Sequence, residues 1–281
     1  MLDQPPTSPW THDRWHVRFL HEAHADHIES LYQALKALPG NPEGVTIEQV
    51  GTVRTLLARG NRWENRAIFH GNESRKQIDE VLRHFASHQA NCVIEINIAN
   101  SYVEPPNNWE ARLLPHLIAK GCQVGGMRCV WYREQLPSGD ETDVGKRIVR
   151  FAPEQIHDYA MLTTLADPKE LWTPERYAVE GRPGFYHYVG FDGEHPCAFG
   201  SLFIKGEIGY LAYWETQNEY RGRGFQRAGI RQRVIDAFNL GCNFTFTVSD
   251  YNFASPRNLQ RCGFQLAYNY LVVTRDPSPL P

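Results

Sequence analysis

YLAYWETQNEYRGRGFQRAG, residues 210–229, begins as an apolar, aromatic run (Tyr210 to Trp214) that reads as a buried strand. A polar connector follows, and RGRG then opens a helix of good formers that runs to about Leu240. Strand, glycine loop and helix start together make anion-binding architecture, because the N–H groups of a first helical turn have no partner within the helix. At Gly222 and Gly224 no Cβ stands between the backbone and a ligand, and Arg221, Arg223 and Arg227 gather positive charge at the same point. A charge-assisted hydrogen bond is worth roughly 1.5–3 kcal/mol, so a few such donors suffice to hold a pyrophosphate.

The bulk composition narrows what such a site serves. With 281 residues there is room for one large or two ordinary domains, and 42% hydrophobic with 22% charged residues is ordinary for a globular protein. A net charge of -3 argues against nucleic acid or an anionic membrane as the main partner. No apolar run approaches membrane-spanning length, and MLDQPPTSPW lacks the layout of a signal peptide, so a cytoplasmic protein is expected. The six cysteines are scattered, several within apolar strand-like runs, and are expected to be reduced and buried. His12, His16, His21, His24 and His27 crowd the amino terminus without a matching cysteine or carboxylate set, so no metal is expected, and a solvated strand-to-helix approach accounts for them better.

Beyond a loose leader (residues 1–13) and a loose tail (277–281), the chain says nearly the same thing twice. Val17-Arg18-Phe19, Glu22 and Asp26 recur at the same spacing as Val149-Arg150-Phe151, Glu154 and Asp158, each set reading as a short strand and a helix. Thr46-Ile47-Glu48 and Thr173-Pro174-Glu175 both look like a helix cap with its first turn. Residues 117–124, LIAKGCQV, answer residues 259–266, LQRCGFQL, and both lead into a strand. Two copies of one domain, residues 14–135 and 147–276 joined by a linker at 136–146, are expected. Between Phe185 and Thr216, turns at Asp192-Gly193 and Lys205-Gly206 divide three antiparallel strands of a meander. The first copy has only about ten residues between its second and third helices, so it is expected to have lost both the meander and the anion loop. The class is mixed α/β (α+β): two tandem domains, each a mostly antiparallel sheet flanked by helices.

On these residues the second half, roughly 146–276, resembles a GNAT-superfamily acyltransferase. The family's acyl-CoA signature falls on Arg221, Gly224 and Gln226, with Gln226 standing where a glycine or alanine is usual, so that its side chain has to swing clear. Asn252, Ser255 and Gly263-Phe264 fall at the spacing of the family's downstream element. The resemblance implies acetyl-CoA as co-substrate. It implies that the backbone of Trp214, Glu215 and Thr216 pairs with the pantetheine arm, that Gly222, Arg223, Gly224, Phe225, Gln226 and Arg227 cradle the pyrophosphate with Arg221, and that Asn252 bonds the pantetheine further along. The position of Asn252 before FASP also suits a plain helix cap, and the two roles are compatible.

The chemistry implied is transfer of an acetyl group from the thioester to an amine by direct attack. Where such enzymes often carry an early glutamate on the strand, this chain has Tyr210, leaving Glu215 or Glu207 as candidate bases, with Glu215 preferred as nearer the expected thioester. Leu259 occupies the place of the usual thiol-protonating tyrosine, so Tyr251, Tyr213 or water must supply that proton. His187 and His195 are spare bases, each more simply read as a solvent-facing strand histidine. The dense aromatic residues between Trp172 and Trp214 suit both a core and an acceptor pocket for an aromatic or apolar amine. Against this reading stand a non-catalytic acyl-CoA-binding module, favoured by the missing acid and base, and a tRNA-dependent aminoacyl transferase, disfavoured by the acidic balance and the intact loop.

Overall fold

Hydrophobic residues at helical spacing decide the first element. Val17, Leu20, Ala25, Ile28, Tyr32 and Leu35 are all buried along α1 (His12–Lys36). The computed structural model describes residues 12–59, 64–69, 73–97, 109–137, 146–250 and 255–276. The chain divides into two units, residues 1–130 with 267–281, and residues 131–266.

In the first unit α1 is followed by β1 (Thr46–Val50), β2 (Val53–Leu57), β3 (Arg66–Ile68), α2 (Arg75–Ser87), β4 (Cys92–Asn97), α3 (Trp109–Ala119) and β5 (Gln123–Arg133), whose last three residues fall in the second unit. β1 and β2 form a hairpin about Gly51, whose φ of 61° suits glycine; β2 pairs with β3 antiparallel, and β3 with β4 parallel. Along α2, Ile78, Val81, Leu82 and Phe85 form one apolar stripe and close the core with Val53, Phe69 and Ile94.

Three sequence expectations fail in this unit. Val17 and Phe19 lie inside a helix, because a 3.6-residue pattern sustained through α1 outweighs a three-residue match to a strand. Thr46-Ile47-Glu48 is strand rather than helix cap, because residues 46–57 fold back as a hairpin about Gly51, at positive φ. The first copy therefore keeps strands that it was expected to have lost.

The second unit contains β6 (Arg147–Phe151), α4 (Ile156–Ala166), α5 (Pro174–Glu180), β7 (Phe185–Asp192), β8 (His195–Lys205), β9 (Ile208–Thr216), α6 (Phe225–Asn239), β10 (Phe244–Asp250) and α7 (Ser255–Arg261). The meander forms as read, with Gly193 and Gly206 in the left-handed region at its two turns. Thr173 caps α5 by accepting from the Arg176 N–H, with Pro174 in the first turn. β6 pairs with β7 antiparallel, and β10 joins β9 parallel. The final strand, β11 (Gln265–Arg275), lies mostly in the first unit, antiparallel to β4.

The repeat is clearest at the helix ends. After α3, the Gly121 N–H bonds Ile118 O and the Cys122 N–H bonds Leu117 O; after α7, the Gly263 N–H bonds Gln260 O and the Phe264 N–H bonds Leu259 O. Both are closed by a glycine at positive φ, 82° and 74°. The six cysteines are free and buried. Among the described residues no helix is long and apolar enough to cross a membrane.

Candidate functional site

β9 leaves β10 partway along its length. The parallel register runs from Ile208 with Phe244 to Leu211 with Thr247, where the Thr247 hydroxyl donates to Leu211 O at 2.7 Å, and stops there. β9 continues to Thr216 paired, among the described residues, to β8 alone. At the point of departure it carries a bulge: Leu202 faces Leu211 and Gly200 faces Trp214, so Ser201 stands opposite both Ala212 and Tyr213. Beyond it, one backbone edge of Trp214, Glu215 and Thr216 is no longer covered by β10. A strand edge of this kind can pair with an extended ligand.

The glycine loop follows at once. Gly222 and Gly224 have φ of 75° and 88°, values that non-glycine residues adopt only with strain, and Gly224 is the residue that begins α6. It has no side chain with which to cap the helix. The first intrahelical bond runs from the Ala228 N–H to Gly224 O, so the N–H groups of Phe225, Gln226 and Arg227 have no partner within the helix. A Cβ at Gly222 or Gly224 would meet nothing within 4 Å, so the backbone is accessible at both.

The side chains expected here divide into those that face solvent and those that build the loop. Arg221, Arg223 and Arg227 are exposed, and Phe225 is buried. Arg221 Nε donates to Thr216 O at 3.1 Å, tying the loop to the end of β9. Arg223 Nη2 donates to both carboxylate oxygens of Asp192 at 2.8 Å, so its charge is already matched from the β7–β8 turn. Lys146, not singled out from sequence, lies over the Phe225 ring at 5.0 Å and adds a cation next to the helix start. Gln226 does swing clear: its Nε2 donates to Ser255 Oγ at 3.3 Å and its Oε1 accepts from Asn258 Nδ2 at 2.6 Å. Ser255 is thereby brought to the first turn of α6. Tyr251 and Asn252 lie outside the described residues.

The two faces of β9 are occupied differently. Trp214 packs toward α6, where a Cβ on Gly229 would lie 2.3 Å from the indole. Its neighbours Tyr213 and Glu215 project from the opposite face, and both are exposed. On that face the Tyr213 hydroxyl meets the Tyr159 hydroxyl of α4 at 2.6 Å. The Tyr213 ring remains partly open to solvent, yet its hydroxyl is enclosed, and burial raises both phenols so that they keep their protons at neutral pH.

Behind the pair lies His187. It is fully buried, stacks on Tyr159 with ring centroids 4.2 Å apart, and donates from Nε2 to Glu180 O at 2.8 Å. Burial pushes its pKa down to about 4. This corrects the expectation of a solvent-facing strand histidine: β7 is covered on this face by α4 and α5, a long-range packing that alternation alone does not reveal. His21 and His24, also expected in solvent, are buried on α1, where His24 Nδ1 lies 3.4 Å from Glu95.

Where sequence left the usual base and acid missing, the structure holds core residues. Tyr210 is buried and stacked on Phe246 at 4.7 Å, and Leu259 is buried in α7. The residue that sequence reasoning missed is Arg233. It is 2% exposed and donates to Gly229 O at 2.9 Å, Ser201 O at 3.0 Å and Tyr213 O at 2.8 Å. Its signal, a charged residue on the inward face of α6, is visible only once the helix is packed.

Residues 153–264 match the model of the acetyltransferase (GNAT) family. Among solved structures, a GCN5-related N-acetyltransferase from Kribbella flavida superposes with a TM-score of 0.59 at 15% identity, covering 89% of this chain and 96% of that one. A tandem GNAT protein from the clavulanic acid biosynthesis pathway superposes at 0.55 and 12% identity, covering 92% and 97%. A GCN5-related N-acetyltransferase from Sphaerobacter thermophilus gives 0.54 at 13% identity, covering 82% and 78%. No curated protein sequence matches significantly. Residues 153–264 thus resemble a GNAT domain, and the chain shares the fold of these tandem-domain structures.

Proposed function

We propose that the GNAT domain binds acetyl-CoA and transfers its acetyl group to the amine of a small molecule or peptide, in the cytoplasm, while the first domain serves as a degenerate copy. The observation that carries this reading is the open helix start at Gly224, set directly after a strand whose edge, among the described residues, is uncovered from Trp214 to Thr216. In this reading the residues from Arg221 to Arg227 take the pyrophosphate, with Lys146 adding charge. The β9 edge takes the pantetheine arm, and Ser255 and Asn252 complete the donor site. The residues present fit the co-substrate: two accessible glycines, unpaired N–H groups and exposed arginines all favour an extended dianion.

In the transfer, the amine nitrogen forms a bond to the thioester carbonyl carbon, the carbon–sulfur bond breaks, and the departing thiolate takes up a proton. An alkyl amine of pKa ~10.4 is neutral to only about one part in a few thousand at pH 7, so removal of its proton controls the rate. Glu215 is exposed on the face opposite α6 and is the proposed base. Tyr213, on the same face, and Tyr251 are the proposed sources of the thiol proton. The aromatic wall of Tyr159, Trp172, Tyr177 and Phe199 behind Tyr213 suits an acceptor with an apolar or aromatic body.

The buried Tyr210 and Leu259 favour one second reading, an acyl-CoA-binding module without turnover. Calorimetric binding of acetyl-CoA followed by thiol release with pooled amines separates the two. Binding with turnover on at least one amine is expected, and binding without turnover on any amine points to the module. Failure to bind acetyl-CoA at all removes both readings. Glu215→Gln should flatten the rise of kcat with pH while CoA affinity stays near wild type; an unaltered profile assigns the base elsewhere.

A further inference from the structure

Arg233 is a buried guanidinium with no carboxylate at ion-pair distance among the described residues; its partners are three backbone carbonyls. An unpaired buried charge is costly, and an apolar residue of similar volume would ordinarily serve a helix core better. What the cost secures is read from the carbonyls themselves. Ser201 and Tyr213 are the two sides of the β8–β9 bulge, where the ladder is broken and backbone groups lose their regular partners. Arg233 supplies the missing donors to both.

The same guanidinium lies 5.0 Å from the Trp214 ring. The indole occupies a slot cut for it by two glycines on different elements. A Cβ at Gly200 on β8 would lie 2.3 Å from Trp214 Cε3, and one at Gly229 on α6 would lie 2.3 Å from Cη2 and Cζ3. Trp214 Nε1 donates to Thr216 Oγ1 at 3.1 Å, within the strand end that the slot holds. Bulge and uncovered strand edge are therefore linked through one side chain.

We propose that Arg233 is a positioning residue for the acyl donor: by holding the Ser201 and Tyr213 carbonyls and the Trp214 indole, it fixes the bulge and so aims the backbone of residues 214–216 at the pantetheine arm. The proposal rests on the reading of this strand and loop as an acyl-CoA site. It separates the two parts of that site, since the loop grips the pyrophosphate without help from the bulge, whereas the arm depends on it.

The test compares two probes on the full chain: CoA, which carries the arm, and adenosine 3′-phosphate 5′-diphosphate, which carries only the part gripped by the loop. In Arg233→Met, CoA affinity should fall about tenfold, the worth of one or two positioned hydrogen bonds, while the nucleotide probe binds as in wild type. Arg233→Lys, which keeps the charge and some donors, should recover part of the loss and serves in its place if Arg233→Met does not fold. Gly229→Ala expels the indole while leaving the charge intact and favouring the helix, and it should show the same CoA-selective loss. Equal weakening of both probes in these variants, or unchanged CoA affinity, overturns the proposal. A wild-type chain that binds neither probe removes the donor-site reading itself.

Discussion

α2 and α6 start the same way in their respective units, each after a strand of a hairpin-built sheet and before a strand that joins it in parallel. Their first residues differ in kind. Ser74 caps α2 by accepting from the Gln77 N–H at 3.2 Å, while Gln77 Oε1 accepts from the Ser74 N–H at 2.9 Å. This capping box uses the helix-start donors within the chain. Gly224 leaves α6 with the same donors and no side chain to meet them. The residue before the cap also changes sign, from buried Glu73 to exposed Arg223. One helix start is finished by its own sequence, and the other is left for a ligand.

The largest effect should come from closing the open start. Gly224→Val places a β-branched residue at φ 88°, where only glycine is unstrained, and Arg221→Ala removes the bond to Thr216 O. Losing two charge-assisted contacts at roughly 1.5–3 kcal/mol each should weaken CoA binding by more than about a hundredfold. Both sites are exposed or open, so the double variant should still fold, as judged by circular dichroism. A folded double variant with wild-type CoA affinity would show that the two helix starts do not differ in function.

Acid should separate the units next. His187 in the second unit is buried neutral, faced by Glu180, Arg176 and Arg182 from the α5 side and by Tyr159 from α4, whereas His24 in the first unit lies against the carboxylate of Glu95. The folded pKa of His187, about 4, lies below its unfolded value of ~6.5, so the unfolded chain binds the extra proton first. Its contribution is complete above pH ~6.5 and declines as pH falls toward 4, reaching about 2 kcal/mol of lost stability by pH 5. Hydrogen exchange at pH 7 and pH 5 should show the second unit losing protection preferentially, and His187→Phe should remove most of that loss. Equal loss in both units, or a Phe variant with the wild-type slope, would contradict it.

What could be read in advance was local. The meander, its two glycine turns, the loop and the α7–Gly263–β11 passage each declare themselves within a dozen residues, through alternation, turn chemistry or a helix-ending glycine. What escaped was cooperative over distance. The match of Val17-Arg18-Phe19 to a strand was too short to compete with the long apolar stripe of α1. Gly200, Trp214, Gly229 and Arg233 are meaningful only as a set, drawn from three elements that no sequence window spans. Arg223 read as a free cation because Asp192 stands 31 positions away. Burial of His187 likewise depends on helices that cross β7 from elsewhere in the chain.

The smallest effect lies at the closed start and asks whether its cap alone keeps α2 from resembling α6. Ser74→Ala removes the acceptor of the Gln77 N–H and should cost about 1 kcal/mol in chemical denaturation, while Ser74→Gly should cost only a few tenths because water reaches the freed groups. Neither should create CoA binding. The α2 start would still follow Glu73, whose carboxylate repels phosphate, and Gln77 Nε2 would still donate to Thr52 Oγ1 at 3.1 Å and hold the turn in place. A second molecule of CoA bound to Ser74→Gly in calorimetry would mean that the two units differ by a single cap. One equivalent, unchanged from wild type, would mean that the cap alone does not make the difference, since α6 follows two glycines at positive φ while α2 follows the acid Glu73.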